Sequence, residues 1–329
     1  MKSKQNTIIS QGITSLLQES LRCPRCLNHI AVSNSIICLN PNCNNAYPFV
    51  DEIPVLIDES RSVFSISDFT NHRSTTLELD GGRTLSRKFL KLLPNTALNV
   101  ASKRNYRTLA ARLAEMGVAP KVLIVGGSIA GCGMEPLMEL KKAVLLETDV
   151  SLGPRTRLVC DAHQLPFANE TFDCVVAQAV LEHVADPYRC VAEFHRVLKP
   201  EGLMYADTPF MQNAHMGRYD FTRFTYVGHR RLFRDFNQLD AGISCGPGMA
   251  LSESFIYFLL SFPRNHRVRS GLTIIGRLLA FWLKYFDRYL ASKEGAFDAA
   301  SGFFFLGTKS YESLGDREII GQYRGGGKL

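Results

Sequence analysis

Four cysteines near the N-terminus have the spacing of a metal site. Cys23 and Cys26 enclose two residues, and Cys38 and Cys43 follow after a short intervening stretch. Two such pairs allow four thiolates to converge tetrahedrally on one zinc ion. Two disulfides or four unrelated thiols are the alternatives. We predict structural zinc, Zn²⁺, because four protein ligands leave no open coordination position for catalysis.

A glycine-rich loop follows the apolar run Lys121–Val125. It contains Gly126, Gly127, Ser128 and Gly131. At a turn from strand to helix, backbone N–H groups face the anionic end of a ligand. By itself the loop fits a dinucleotide, the carboxylate of S-adenosylmethionine or simply a tight turn.

Acidic residues end the next two strand-like runs. Asp149 can accept hydrogen bonds from ribose hydroxyls, and Asp161 can accept one from an adenine amino group. Glu147 is the alternative ribose acceptor if the second strand ends earlier. Either acid alone is more commonly a loop residue or a helix cap. Together they suit an adenosine, and we include Ala162 and Gln178 in the predicted cofactor-binding set.

Four further polar residues are candidates for the chemistry itself. His183 follows the fourth strand, where it lies at the ligand-binding edge or packs as a structural residue. His215 can act as a base or orient an acceptor hydroxyl. Arg223 can hold an anionic substrate group or pair with Asp220. The alternative for this last pair is a structural salt bridge.

The elements that must position these residues alternate in type. Strand-like apolar runs at 122–125, 143–146, 157–160, 172–177 and 203–206 alternate with helical stretches, including 187–198. This alternation favours parallel βαβ units. We therefore predict an α/β fold with a doubly wound, mostly parallel sheet.

Domain boundaries follow from the change in composition along the chain. We assign residues 15–60 to the cysteine module, 61–100 to an irregular connection, 101–315 to the α/β domain and 316–329 to a tail.

Within residues 120–208 the order of motifs resembles class I S-adenosylmethionine-dependent methyltransferases of the type 11-like group. The motifs are Asp161-Ala162 with Leu165-Pro166-Phe167, then Phe172-Asp173, Leu181-Glu182-His183-Val184, and Arg196 to Gly202. The resemblance implies a seven-stranded Rossmann-like sheet and an S-adenosylmethionine-dependent enzyme.

Carried over by position, the resemblance assigns cofactor contacts to four residues. Gly126 and Gly131 contact the methionine part, Asp149 the ribose and Asp161 the adenine. The pattern departs at Ile124, where an acid is common. Ser128 stands where glycine is usual in a loop that is one residue longer.

Two other segments resemble known groups. Residues 21–56 are similar to zinc-ribbon modules attached to some methyltransferases and their activator proteins, so a protein partner is one expectation for this module. The arrangement from Pro209-Phe210 through His215 and Asp220 to Arg223-Phe224-Thr225 resembles bacterial methyltransferases, some found beside glycan-assembly enzymes. We therefore expect methyl transfer to an oxygen or nitrogen of a small molecule or glycan precursor.

Composition limits the partners and the location. The chain has 329 residues, 46% of them hydrophobic, and a formal charge of +7 without a long basic run, so we expect no specific nucleic-acid partner. The first twenty residues contain no continuous export segment, and we expect a cytoplasmic protein. The apolar stretch Leu272–Phe286 contains Arg277 and Lys284 and is too short to span a membrane. It is either an interfacial helix in peripheral membrane contact or a buried lid or core helix.

Two other functions compete with methyl transfer. A nicotinamide-dependent oxidoreductase also has a glycine-rich loop, although Asp161 and the block 172–202 fit it poorly. A catalytically silent binding or scaffold protein would explain the irregular loop and the cysteine module.

Overall fold

The computed structural model describes residues 18–33, 35–76 and 93–327. In the described residues the strands are β1 Ile30–Val32, β2 Ile36–Cys38, β3 Ala46–Tyr47, β4 Phe49–Val50, β5 Ile53–Leu56, β6 Lys121–Val125, β7 Val144–Asp149, β8 Leu158–Cys160, β9 Phe172–Gln178, β10 Leu198–Pro209, β11 Phe236–Cys245 and β12 Gly302–Lys309. The helices are α1 Ile66–Thr70, α2 Ser102–Ala114, α3 Glu135–Met138, α4 Pro187–Val197, α5 Tyr226–Leu232, α6 Pro247–Leu260, α7 His266–Ala280, α8 Asp287–Leu290 and α9 Asp316–Gly321.

The main sheet has nine strands in the order β11-β12-β10-β9-β6-β7-β8-β5-β4. Neighbours from β10 to β5 pair in parallel, whereas β12 is antiparallel to both β10 and β11, and β4 to β5. Strands buried on both faces read as continuous apolar runs, and β6 and β9 have this character. The predicted α/β, mostly parallel fold is confirmed.

The strand count differs from the predicted seven because the N-terminal segment contributes two strands. Val55 pairs in parallel register with Val159, and Leu56 with Cys160. The hairpin of β4 and β5 thereby extends the sheet beyond β8. The N-terminal segment is thus hydrogen-bonded to the α/β domain.

The cysteine module contains a small three-stranded sheet with the order β1-β2-β3. Its buried residues Leu21, Ile36 and Tyr47 belong to the same hydrophobic core as Phe167 of the main domain. The backbone N–H of Arg22 also donates to the carbonyl of Pro166 at 2.8 Å. The module therefore packs against the α/β domain and shares its core.

The predicted boundaries can be compared with the structure only in part. Three predicted segments extend beyond the described residues: the module at 15–17, the connection at 77–92 and the tail at 328–329. The stretch 1–17, on which the expectation about export depends, also lies outside them. The described part of the connection contains α1, whose Phe69 is buried with Val55 and Val159. The described part of the tail contains α9.

A helical layer formed by α6 and α7 follows β11. In α7 only Gly276 and Ala280 are buried. The alternative of a core helix for this stretch is therefore wrong, because most of the apolar side chains of α7 face outward. In the described part of the chain, no helix is long and apolar enough to cross a membrane.

A buried carboxylate ties the end of the connection to the sheet. Asp207 of β10 accepts a hydrogen bond from Asn99 Nδ2 at 2.7 Å and one from Ser244 Oγ at 2.6 Å. Asn99 Oδ1 in turn accepts from the backbone N–H groups of Ala101 and Ser102 at the start of α2. Burial raises the pKa of Asp207 to about 6, although both hydrogen bonds oppose the rise.

We predict that Asp207→Asn removes a pH-dependent destabilisation. Above pH 3.8 the unfolded carboxyl has lost its proton while the folded one keeps it up to about pH 6, so the wild-type protein loses stability across this window. Chemical denaturation at pH 4.5 and 7.5 measures both proteins. The stability of the variant relative to wild type should rise by roughly 2–3 kcal/mol over that interval. Parallel pH profiles would contradict the prediction.

Candidate active site

A cavity of about 260 Å³ opens at the carboxyl ends of β6, β7, β8 and β9. Predicted cofactor and catalytic residues lie together in its wall, namely Gly126, Ser128, Asp149, Asp161, Ala162, His183 and His215. Parallel strands bring their carboxyl ends to one edge, which is where open α/β sheets bind ligands. The roles of these residues stay predictions.

The glycine loop is tightly packed at its first two positions. Gly126 has φ of +67°, and a Cβ there would lie 2.5 Å from Cγ2 of Val180. A Cβ on Gly127 would lie 2.9 Å from Cβ of Glu147, and the Gly127 N–H donates to Thr148 O at 2.9 Å. The loop therefore requires glycine at these positions, independently of any ligand.

Asp149 ends β7 and lines the cavity. Its Oδ2 accepts the backbone N–H of Ser128 at 3.1 Å. Burial raises the pKa of Asp149, while hydrogen bonds from Ser128 and Ser151 oppose that rise. The alternative acceptor, Glu147, forms a salt bridge with Arg155. Of the two acids, Asp149 is the one in the cavity wall.

Asp161 is held by a network that sequence reasoning missed. It accepts hydrogen bonds from the Ser62 hydroxyl and from both the backbone N–H and the Nδ1–H of His163, at 2.9 and 2.6 Å. His163 Nε2 accepts the Asp186 N–H at 3.0 Å, which places the ring proton on Nδ1. Burial alone would raise the pKa of Asp161, but His163 and Ser62 hold it below its ordinary value.

Gln178 packs against the glycine loop and hydrogen-bonds to it. Its Oε1 accepts from the buried Tyr106 hydroxyl at 2.9 Å, and its Nε2 donates to Cys132 O at 3.2 Å. A Cβ on Gly131 would lie 2.0 Å from Gln178 Oε1. Gln178 therefore fixes the path of residues 131–132.

His183 and His215 meet edge to face, with ring centroids 4.9 Å apart. His183 Nδ1 lies 2.9 Å from Tyr219 O, within hydrogen-bonding distance. Burial lowers the pKa of His183 and favours the neutral ring. The structure brings these two predicted catalytic residues together at one end of the cavity.

Asp220 and Arg223 clamp the loop that carries His215. Their salt bridge uses both carboxylate oxygens, and Arg223 also donates to Gln212 O at 3.0 Å. Asp220 accepts the His215 backbone N–H at 2.8 Å. Despite some burial, Arg223 and His215 hold the pKa of Asp220 well below its ordinary value. Both carboxylate oxygens of Asp220 are thus engaged with Arg223, in the salt bridge that was the alternative to substrate binding.

Glu182, adjacent to His183, is a further buried acid that sequence reasoning left without a role. Its side chain is 1% exposed, and burial raises the pKa of Glu182 to about 8. Its backbone carbonyl accepts the N–H groups of Phe221 and Thr222. The Leu181-Glu182-His183 motif was visible, but its proximity to His215 depends on the tertiary fold.

A second cavity of about 260 Å³ adjoins the first, and His215 lines both. Its wall is more polar than that of the first cavity, although it includes the apolar Ile256 and Leu260. The polar lining residues include Gln212, Asn213, Glu253, Tyr257, Thr273 and Arg277. The α6–α7 layer provides most of these side chains. His215 thus stands between the first cavity and the more polar second one.

The four predicted metal ligands also converge. One Sγ atom from each of Cys23, Cys26, Cys38 and Cys43 lies within 4.8 Å of the other three. The Cys23–Cys43 and Cys26–Cys38 sulfur separations are 3.7 and 3.5 Å. Tetrahedral zinc with Zn–S bonds of about 2.3 Å requires separations of about 3.8 Å. None of the four thiols is in a disulfide in this structure.

Comparison with known proteins gives partial matches. The family model that matches residues 132–206 is described as a methyltransferase domain. A 44-residue segment is 50% identical to a ubiquinone/menaquinone biosynthesis C-methyltransferase of Desulfotalea psychrophila, covering 13% of this chain and 18% of that protein. A 49-residue segment is 43% identical to an uncharacterized 37.1 kDa protein in a transposon of Streptomyces fradiae, covering 15% and 14%. The chain spans less than a fifth of the length of these curated relatives.

Solved structures resemble the chain at low identity. Phosphoethanolamine N-methyltransferase 2 of Haemonchus contortus, in complex with S-adenosyl-L-methionine, is 15% identical with a TM-score of 0.42, covering 85% of this chain and 70% of that one. The 1,6-didemethyltoxoflavin-N1-methyltransferase of Burkholderia thailandensis is 14% identical with a TM-score of 0.38, covering 69% and 87%. Residues 132–206, which include β7, β8 and β9 of the parallel part of the sheet, therefore match a methyltransferase domain.

Proposed function

We propose that this chain transfers the methyl group of S-adenosylmethionine to an oxygen or nitrogen of a small-molecule or glycan-precursor acceptor. The observation that carries the proposal is the placement of Asp149 and Asp161, both buried, in the wall of one cavity beside the glycine loop. The predicted contacts are the ribose hydroxyls with Asp149, the adenine amino group with Asp161, and the methionine part with the loop.

The polar second cavity is the proposed acceptor site. Methyl transfer is an in-line displacement at carbon, so the protein must align the acceptor atom with the carbon–sulfur bond and exclude water. The cofactor supplies a methyl group activated by its positively charged sulfur. His215 lines both cavities, and the neutral His183 lies against it, so either ring is placed to take a proton from an acceptor hydroxyl.

Calorimetry with S-adenosylmethionine tests the cofactor site. We expect micromolar binding to the wild-type protein and a roughly 10- to 100-fold loss in Asp149→Asn and in Asp161→Asn, since each removes a charged hydrogen-bond acceptor. Asp240→Asn is the matched control, because Asp240 is half-exposed and pairs with Arg104 at the far edge of the sheet.

The same titration separates the competing functions. Absence of S-adenosylmethionine binding to the wild-type protein would sink the methyltransferase proposal. A parallel titration with a nicotinamide dinucleotide would then distinguish the two remaining functions. An oxidoreductase binds the dinucleotide, whereas a catalytically silent scaffold binds neither cofactor.

We also propose that Cys23, Cys26, Cys38 and Cys43 bind one structural Zn²⁺. The sulfur separations support this set, and so does the Tyr47 hydroxyl, which lies 3.1 Å from Cys23 Sγ. A module of this size buries little apolar surface of its own, so the metal contributes much of its folding free energy.

Removal of the metal tests this proposal. We expect about one zinc per chain, lost in Cys26→Ser and retained in Cys132→Ser, a thiol exposed elsewhere. Because Leu21 and Tyr47 belong to the main core, chelation should lower the melting temperature of the whole protein by several degrees. Zinc-free wild-type protein with an unchanged melting temperature would contradict the prediction.

A third proposal concerns the outer surface of the helical layer, which we assign to contact with an anionic lipid surface. Exposed large apolar side chains there are Leu251, Phe258, Phe262, Val268, Ile275, Leu278, Leu279, Trp282, Tyr285, Phe286 and Tyr289. Arg264, Arg267 and Arg269 are exposed beside them. Apolar and aromatic side chains next to basic ones are typical of helices that lie in a membrane interface.

Trp282 is the only tryptophan of the chain and serves as the probe. We expect its emission to shift to the blue with vesicles containing phosphatidylglycerol and much less with phosphatidylcholine alone. Leu278→Glu should raise the lipid concentration that gives half of the emission shift at least tenfold. Leu39→Glu, at an exposed position of the cysteine module, should leave this concentration unchanged. Unchanged emission would contradict lipid contact, and a shift that follows protein concentration alone would indicate self-association instead.

A further inference from the structure

Glu182, His183 and His215 form a second group of convergent ligand atoms. Each residue offers one atom, and these atoms all lie within 4.8 Å of one another. His183 and His215 line the first cavity, and His215 also lines the polar one. The cluster therefore stands where the proposed cofactor and acceptor sites meet.

Both histidines are oriented as metal ligands usually are. His183 Nδ1 bonds to Tyr219 O at 2.9 Å, and His215 Nδ1 lies 3.3 Å from Asn213 O and 3.5 Å from Asp220 Oδ2. A ligating histidine typically donates its other ring N–H to a backbone carbonyl or a carboxylate, which leaves the remaining nitrogen basic. The loop carbonyls thus leave Nε2 of each ring with its lone pair.

Glu182 supplies a buried carboxylate whose hydrogen bonding is incomplete. Its side chain is 1% exposed, and Oε2 has no hydrogen-bond partner among the described residues. Oε1 lies 3.7 Å from His183 Nε2. Arg223, the cation nearest in the loop, is paired with Asp220 through both carboxylate oxygens. A buried carboxylate without a partner is costly, and a cation between these groups would satisfy it.

We propose that Glu182, His183 and His215 bind a divalent transition-metal ion. A cation about 2.1 Å from both His183 Nε2 and Glu182 Oε1 subtends about 120° across their separation, which is an ordinary ligand angle. His215 is the most exposed of the three, and one of its ring nitrogens lies within 4.8 Å of the other two ligand atoms. Two histidines and one carboxylate leave further coordination positions open.

The open positions define the acceptor class, a step that rests on the proposed methyl transfer. A metal at this junction binds a hydroxyl oxygen of the acceptor and lowers its pKa. With both nitrogens of each histidine engaged, the hydroxyl proton passes to solvent and no longer to a histidine. The acceptor oxygen bonds to the methyl carbon, and the carbon–sulfur electron pair stays on sulfur. On a six-coordinate ion the positions left open by the three protein ligands favour an acceptor with a second oxygen beside the methylated one, as in a vicinal diol or hydroxy acid.

Titration with Co²⁺ tests the metal site without any methyl transfer. The protein is first loaded with one equivalent of Zn²⁺ per chain, which the four thiolates take in preference to the histidine–carboxylate site. Co²⁺ binding is then followed by calorimetry and by the visible spectrum. We expect one Co²⁺ per chain with the weak bands of nitrogen and oxygen ligands. Cobalt in the four-cysteine site would instead give intense thiolate charge-transfer bands.

The variants are His215→Gln, His183→Gln and the near-isosteric Glu182→Gln, each expected to weaken Co²⁺ binding at least tenfold. His266→Gln, at the exposed start of α7, is the matched control. Since His215 is partly exposed, its variant should keep the wild-type melting temperature and decide the question if a buried variant fails to fold.

The outcomes separate this inference from the proposed function. Equal Co²⁺ binding by wild type and His215→Gln, or none by wild type, overturns the metal site even if S-adenosylmethionine binds. Site-specific Co²⁺ binding without S-adenosylmethionine binding supports the metal site and removes the methyltransferase proposal.

Discussion

Parallel pairing of β5 with β8 is the constraint on which the cavity depends. Val55 and Leu56 pair with Val159 and Cys160, and so bring the segment after β5 over the end of β8. Ser62, in that segment, donates to Asp161, and Phe64 lines the cavity. The N-terminal segment therefore supplies part of the wall around the proposed adenine contact.

This pairing also couples the cysteine module to the site. Tyr47 contacts Cys23 on one side and is continuous with the β4–β5 hairpin on the other. A metal that fixes the four cysteines would thereby fix the register of β5 against β8. The structural role proposed for the zinc would then extend to the cavity wall.

The sequence predicts the parallel centre of the sheet well and its two ends poorly. The runs 122–125 of β6 and 174–177 of β9 carry no polar interruption, so their pattern suffices. β5 contains Pro54, which argues against a strand inside a sheet, and only its pairing partners make it one. β11 alternates irregularly and bulges twice against β12, so its register depends on tertiary pairing.

The residues of the candidate site were likewise predictable from the sequence only in part. The predicted acids at strand ends share one cavity because strand order alone brings their positions together. Residues from loops could not be placed from sequence, and Ser62 with Asp161 is the clearest case, since the two are separated by 99 positions. Glu182 was part of a recognised motif, yet its missing hydrogen-bond partner becomes visible only when the burial of each atom is known.

Two acidic side chains lie at the proposed acceptor end, and their hydrogen bonding differs. The Asp220–Arg223 pair is satisfied internally, with Arg223 donating to backbone carbonyls as well, so it stabilises the loop around His215. Glu182 has no such compensation for Oε2 in the described structure, although its backbone carbonyl anchors the same loop. A buried carboxylate oxygen without a partner costs free energy, and the proposed metal ion would remove that cost. The proposal therefore places the ligand at Glu182 and not at the internally satisfied salt bridge.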